Sequence, residues 1–281
     1  MKMETDKIYN MDCLEGMKQI PDNSIDLVVT DPPYNTGMQA NNAKARLSHF
    51  FNDKFPPEIY KKLAEDVCKE LFRVLKQDKG IYIFMNWKSL SVWIESLEKA
   101  SFKVKNVIIW DKVVHGLNYQ NYAYTYEMII FATKGTFFPN NKNDGNKFYR
   151  DIWHIKRNLD NESEKIEHHE TQKAIEVVKL PLKHASKPGD IILDPFIGSG
   201  TTAVASILLN RKFIGFEREK EYCDIANNRL KKYMEQTNLI ENHSPAKPDT
   251  LTKANKSIVP DGVPNGSDTG RTLDNKEDGK I

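Results

Sequence analysis

Seven short apolar runs, separated by stretches of helical periodicity, constrain what this 281-residue chain can fold into. The runs are Lys7–Met11, Ile25–Thr30, Gly80–Met85, Lys105–Trp110, Glu127–Ala132, Asp190–Leu193 and Lys212–Phe216. Several are near-continuous in Ile, Val, Leu and Phe, the pattern of strands covered on both faces. Between them, Pro57–Leu75 repeats apolar residues at Leu63, Val67, Leu71 and Leu75, one face of a helix. Ser89–Lys99, Ala174–Ala185, Thr201–Leu209 and Glu219–Gln236 predict further helices. The alternation predicts an α/β fold: an open, twisted, mostly parallel sheet with helices on both faces.

Three segments fall outside that scheme. Asn35–Phe55 is polar, and Phe137–Glu170 has no clean period. From about Asn242 onward there is no aromatic residue, and Pro, Gly, Asn, Asp, Lys and Ser dominate. Such a composition cannot bury enough apolar surface to offset the entropy of ordering. The expected organisation is therefore one folded domain over residues 1–240, with 137–170 as a small insertion and 241–281 as a disordered tail.

Two loops carry the chemistry, about 160 positions apart, each placed where an apolar strand ends. Asp31-Pro32-Pro33-Tyr34 follows Ile25–Thr30. An exocyclic amine on a base is a poor nucleophile because its lone pair is delocalised into the ring. Two acceptors that hold both amine hydrogens draw the nitrogen toward tetrahedral geometry. Asp31 offers an anionic acceptor. Pro32 and Pro33 fix their own φ, so the Pro32 carbonyl can be held as the second acceptor. Tyr34 adds a face for stacking. Asp-Pro-Pro is also an ordinary strand-ending turn. Its position favours the chemical reading, because ligands of open α/β sheets bind at the carboxyl ends of strands.

The second loop is Asp194-Pro195-Phe196-Ile197-Gly198-Ser199-Gly200-Thr201-Thr202, between Asp190–Leu193 and the helix from Thr201. Gly198 and Gly200 permit tight turning and close backbone approach to a ligand. No Gly-Lys-Ser/Thr follows, which argues against a triphosphate loop. Glu217 lies about 20 residues on, where an acid commonly accepts from ribose hydroxyls. A nucleoside cofactor fits this pair.

With both loops in place, the chain resembles the β group of bacterial or phage DNA amino-methyltransferases, the adenine-N6 and cytosine-N4 enzymes that use S-adenosylmethionine. Asp-Pro-Pro-Tyr resembles their catalytic run, and Asp-Pro-Phe-x-Gly-Ser-Gly-Thr-Thr their methionine-binding loop, in that order along the chain. The resemblance covers roughly Lys7 to Tyr233. It implies a Rossmann-like methyltransferase sheet of seven strands, one antiparallel near an edge, with permuted motif order. It also implies Asp31, Pro32, Pro33 and Tyr34 as the catalytic run. By the same resemblance Asp12, with Cys13 beside it, contacts the cofactor's adenine. Asp194, Phe196, Gly198, Ser199, Gly200, Thr201 and Thr202 surround its methionine part, and Glu217 its ribose. His169-Glu170-Thr171-Gln172-Lys173 is similar to a family run near the cofactor's carboxylate, so Thr171, Gln172 and Lys173 join the cofactor set. Glu170 and Ala174 stand where the family commonly has proline.

The activity implied is methyl transfer to the N6 amine of adenine in duplex DNA, by base flipping and direct in-line transfer, as in restriction-modification systems. Cytosine-N4 methylation is the alternative, as is a DNA-binding regulator without chemistry. Methylases of glutamine in proteins or of RNA usually carry Asn first in the catalytic run. Overall charge, 41 Lys plus Arg against 39 acidic residues, names no partner. Any DNA surface must be local. Residues 140–158 carry net +3, with Lys147, Arg150, Lys156 and Arg157 interleaved with Phe148, Tyr149 and Trp153. Lys44 and Arg46 form a second basic candidate. The three cysteines match no metal spacing, so no metal is expected. No signal peptide or membrane span is expected, and the expected location is the cytoplasm; the resemblance, to a family whose members often pair, implies a homodimer.

Overall fold

The strand Ile25–Thr30 (β2) is buried at all six positions, and the architecture is built outward from it. The computed structural model describes residues 3–36, 54–113, 122–140, 149–156 and 173–243. In chain order the remaining strands are β1 (Lys7–Asn10), β3 (Leu75–Met85), β4 (Lys103–Asp111), β5 (Tyr126–Lys134), β6 (Ile152–His154), β7 (Ile191–Asp194) and β8 (Lys212–Glu217). The helices are α1 (Cys13–Met17), α2 (Pro57–Val74), α3 (Leu90–Lys99), α4 (Ile175–Ala185), α5 (Thr201–Leu208) and α6 (Lys220–His243). They surround one eight-stranded sheet of order β1-β8-β7-β2-β3-β5-β4-β6.

Alternate residues of the strands feed two cores, one on each face, as the pleat requires. Leu27 and Val29 of β2, with Tyr82 and Phe84 of β3, pack against α4, α5 and α6 through Val177, Leu182, Val204 and Leu230. Val28, with Ile81, Ile83 and Met85, packs against α1, α2 and α3 through Met17, Val67, Leu71, Trp93 and Leu97. Double coverage explains why these strands read as continuous apolar runs. The three cysteines, Cys13, Cys68 and Cys223, are free and buried.

Every neighbouring pair is parallel except those made by β5, which runs against both β3 and β4. One antiparallel strand near an edge is the expected arrangement. The strand count differs by one. The eighth, β6, lies in the 137–170 insertion, where no clean period was visible, and pairs with β4 through Ile109↔Ile152, Trp110↔Trp153 and Asp111↔His154. Three residues are too few to show a period, so neighbours rather than local pattern decide that strand. The short α1 escaped for the same reason. Among the described residues no helix is long and apolar enough to cross a membrane.

Candidate functional site

The chain order scatters the site, and the sheet gathers it. Along the carboxyl edge, from β1 through β8 and β7 to β2, stand Asp12, Glu217, the glycine loop and Asp31 in spatial sequence. The decisive junction is β7 beside β2, registered as Leu27↔Ile192 and Val28↔Leu193. The Thr30 hydroxyl, one residue before Asp31, donates to the Asp194 carboxylate at 2.7 Å. The two loops therefore leave the sheet side by side.

On the acceptor side, Asp31 is partly open and its two oxygens are already engaged. The Tyr34 hydroxyl donates to Oδ1 at 2.5 Å, and the Lys173 ammonium sits 2.7 Å from Oδ2. Burial pushes the Asp31 carboxyl above the usual range, against the pull of Lys173. The loop is propped from α2 and α3. The Tyr60 hydroxyl donates to the Pro33 carbonyl at 2.8 Å and accepts from Trp93 Nε1 at 2.9 Å. Ser89 Oγ donates to the Tyr34 carbonyl. Pro32 is buried. The Asn35 amide and the Phe55 backbone pair reciprocally, Asn35 donating to the Phe55 carbonyl at 3.2 Å and accepting its N–H at 2.7 Å.

Two residues to which sequence reasoning gave no role complete this side. Glu127, at the start of β5, lies 3.0 Å from the Lys173 ammonium, accepts from the Tyr34 hydroxyl at 3.2 Å, and pairs through its other oxygen with Lys112 at 3.0 Å. The available signal was an acid opening an otherwise apolar strand, Glu127-Met128-Ile129-Ile130. Burial alone would raise the Glu127 carboxyl, but Lys173 and Lys112 together hold it down at about 2. Burial and the adjacent Asp31 push the Tyr34 phenol well above its ordinary value. The Lys173 ammonium also lies 5.2 Å over the Tyr34 ring and 5.6 Å over that of Phe84.

On the cofactor side, Gly198 and Gly200 both take positive φ, 50° and 82°. Gly200 caps the start of α5, and a Cβ there would lie 3.1 Å from that of Ala226 on α6. Glu217 is fixed facing the loop, Oε2 accepting from Gly198 N–H at 3.1 Å and Oε1 from Glu219 N–H at 2.8 Å. Each of its oxygens keeps a second lone pair for a ligand hydroxyl. Asp12 caps α1, Oδ1 accepting from the N–H groups of Leu14 and Glu15 at 2.9 and 3.3 Å. Cys13 is buried beside it, its thiol pushed up to about 12. Thr201 accepts from Arg229 at 2.9 Å and donates toward the Lys173 carbonyl at 3.5 Å, so α5, α6 and the entry to α4 meet there. Phe196 N–H, with Thr30, donates to Asp194. Ser199 and Thr202 are buried in the same loop. Two acids at the carboxyl ends of neighbouring strands, with a glycine loop between them and the acceptor run, form a donor and acceptor set suited to a nucleoside carrying an amino-acid arm.

The other expected residues divide. Lys156 is exposed at the carboxyl end of β6, on the same edge as Asp31, whereas Arg150 is exposed at the strand's other end. Thr171, Gln172, Lys44, Arg46, Lys147 and Arg157 lie outside the described residues, as does the tail expected to be disordered.

A family model described as DNA methylase, of the N6/N4 type, matches residues 25–228. The chain belongs to this family. Among relatives of this methylase, the Type II methyltransferase M.BglII of Bacillus subtilis is 31% identical over 280 residues, covering 86% of this chain and 73% of that protein. The Type II methyltransferase M.HinfI of Haemophilus influenzae is 30% identical, covering 83% and 70%. Among solved structures, a complex of M1.HpyAVI with SAM superposes on the methylase with a TM-score of 0.61 at 27% identity, covering 80% of this chain and 98% of that one. The cytosine-N4-specific PvuII DNA methyltransferase, at 17% identity and a TM-score of 0.66, shares the fold.

Proposed function

We propose that this methylase transfers a methyl group to the N6 amine of adenine in duplex DNA, on a base flipped from the helix. The observation that carries this reading is the juxtaposition of Asp31 and the glycine loop on neighbouring strands, bridged by Thr30 and Asp194. The methyl donor is S-adenosylmethionine, which supplies an activated methyl on a sulfonium sulfur. Asp12 and Glu217 are suited to its adenine amine and ribose hydroxyls, and residues 196–202 to its methionine part. A flipped base enters at Tyr34. Asp31 accepts one amine hydrogen and the Pro32 carbonyl the other, so charge developing on nitrogen meets oriented acceptors. Flipping costs a few kcal/mol and is required because the amine is otherwise inside the stack. Carbon-5 methylation of cytosine needs a thiolate nucleophile, whereas Cys13, beside the expected adenine contact, is buried with its thiol raised to about 12. Adenine is preferred to cytosine-N4 because the acceptor run opens with Asp, where the cytosine enzymes more often carry Ser.

Asp31→Ala tests the reading. Methylation of unmethylated duplex DNA should fall by at least about 100-fold, while binding of S-adenosylmethionine measured by calorimetry stays within about two-fold. Persistent methylation would refute the role of Asp31. Sequencing of modified bases in DNA from expressing cells distinguishes N6-methyladenine from N4-methylcytosine.

A further inference from the structure

In this structure Asp31 is not waiting for an amine. One of its oxygens holds the Lys173 ammonium and the other the Tyr34 hydroxyl. An ammonium 2.7 Å away competes directly with any incoming N–H donor. Lys173 is only 9% exposed, so pulling it off a single carboxylate would leave a buried cation unpaired, which is strongly unfavourable. Glu127 removes that difficulty. Its carboxylate already touches both groups that occupy Asp31, Lys173 at 3.0 Å and Tyr34 at 3.2 Å. Lys112, 3.0 Å from the opposite oxygen, anchors it. The antiparallel direction of β5 makes this possible by bringing the strand's first turn of side chains to the carboxyl edge, beside Asp31.

We propose that Glu127 is a positioning residue for methyl transfer: it provides a second seat for the Lys173 ammonium, so that Asp31 turns to the target amine while the buried cation stays paired. The proposal rests on the reading of Asp31 as the amine acceptor. The cluster holds two carboxylates and two ammoniums and is neutral, so shifting Lys173 by a fraction of its bond length moves no net charge into the interior. The groups facing Asp31 are Lys173 before α4, Tyr34 on its own loop, Glu127 on β5 and, across the β2–β7 junction, Asp194. Those facing Glu127 are Lys112 after β4, Lys173, Tyr34 and, across the Lys173 ammonium, Asp31. Glu127 stays ionised through any working pH because both lysines hold it low.

The test compares Glu127→Gln, Lys173→Met and the double variant with the full-length protein, using unmethylated duplex DNA and labelled S-adenosylmethionine. In E127Q the ammonium keeps Asp31 as its one anionic partner, because the amide oxygen carries no charge to balance it. Turnover should fall by about 100-fold, the scale of a misplaced catalytic group, with cofactor binding by calorimetry unchanged. The acid limb of the kcat–pH profile contains the ionisation of Asp31, which both substitutions perturb directly, beside that of Asp194, which contacts neither Glu127 nor Lys173. It should move to lower pH in E127Q, where a repelling charge is gone, and to higher pH in K173M, where the attracting one is gone. The double variant has no ammonium to compete and should turn over faster than E127Q and no slower than K173M. E127Q with wild-type turnover, limbs that move the same way, or a double variant slower than both singles would overturn the proposal. Should E127Q not fold, the comparison of K173M with the double variant stands alone. Loss of activity in D31A together with a wild-type rate in E127Q would reject only Glu127, whereas activity surviving D31A would reject the acceptor reading beneath it.

Discussion

Asp194 shows how a single buried group can couple the site to pH. Three donors, from Thr30, Thr202 and the Phe196 backbone, favour its ionised form, yet burial outweighs them and raises the carboxyl to about 7. The folded protein thus retains a proton that the unfolded chain releases near the ordinary carboxylate range. Stability from this group is complete at low pH and is lost as pH rises toward about 7. Asn at this position mimics the protonated form. The stability of wild type relative to Asp194→Asn, measured by urea unfolding, should decline between about pH 4 and pH 7 and level off above. A difference flat across that window would show that the carboxyl titrates normally. The same residue scale explains what the sequence concealed. Asp31 and Tyr34 announce themselves through their prolines, whereas Glu127 and Lys112 are ordinary charges until β4 and β5 pair and set Trp110 opposite Glu127.

At the scale of elements, the join between β7 and α5 is a backbone problem. Gly200 opens α5 at φ 82°, and a Cβ would press on Ala226 of α6 at 3.1 Å. Gly200→Ala should destabilise the fold by about 1–3 kcal/mol in chemical denaturation and weaken binding of S-adenosylmethionine, because the loop cannot keep both its turn and its packing. Unaltered binding would place the loop outside the cofactor site. Among the described residues, seven of the eight strands were legible because double burial writes long apolar runs, and five of the six helices because each exceeds two turns. The two elements that were not, α1 and β6, have five and three residues and are specified by an Asp12 cap and by the exposed edge of β4. The family resemblance supplied one antiparallel strand near an edge but not which one: nothing in Tyr126–Lys134 says that it runs against its neighbours, though the position of Glu127 depends on it.

For the whole molecule, a near-neutral chain must bind a polyanion with locally placed cations. Lys156 is exposed at the reacting edge. Lys156→Ala should weaken duplex binding across sequences and lower the slope of log K against log salt by about 1, as measured by fluorescence anisotropy at several ionic strengths. An unchanged slope would place the phosphate contacts elsewhere. Arg150, at the opposite end of β6, offers the natural comparison.

The strand order has one more consequence. A cut between β5 and β6 would leave five strands on one polypeptide and three on the other, yet each of the three pairs with a strand of the first: β8 with β1, β7 with β2, β6 with β4. Neither piece owns a finished sheet, and the two halves of the chemistry travel on separate pieces. Separate fragments of a scaffold so interleaved should mark DNA with methyl groups only when tethering brings them together.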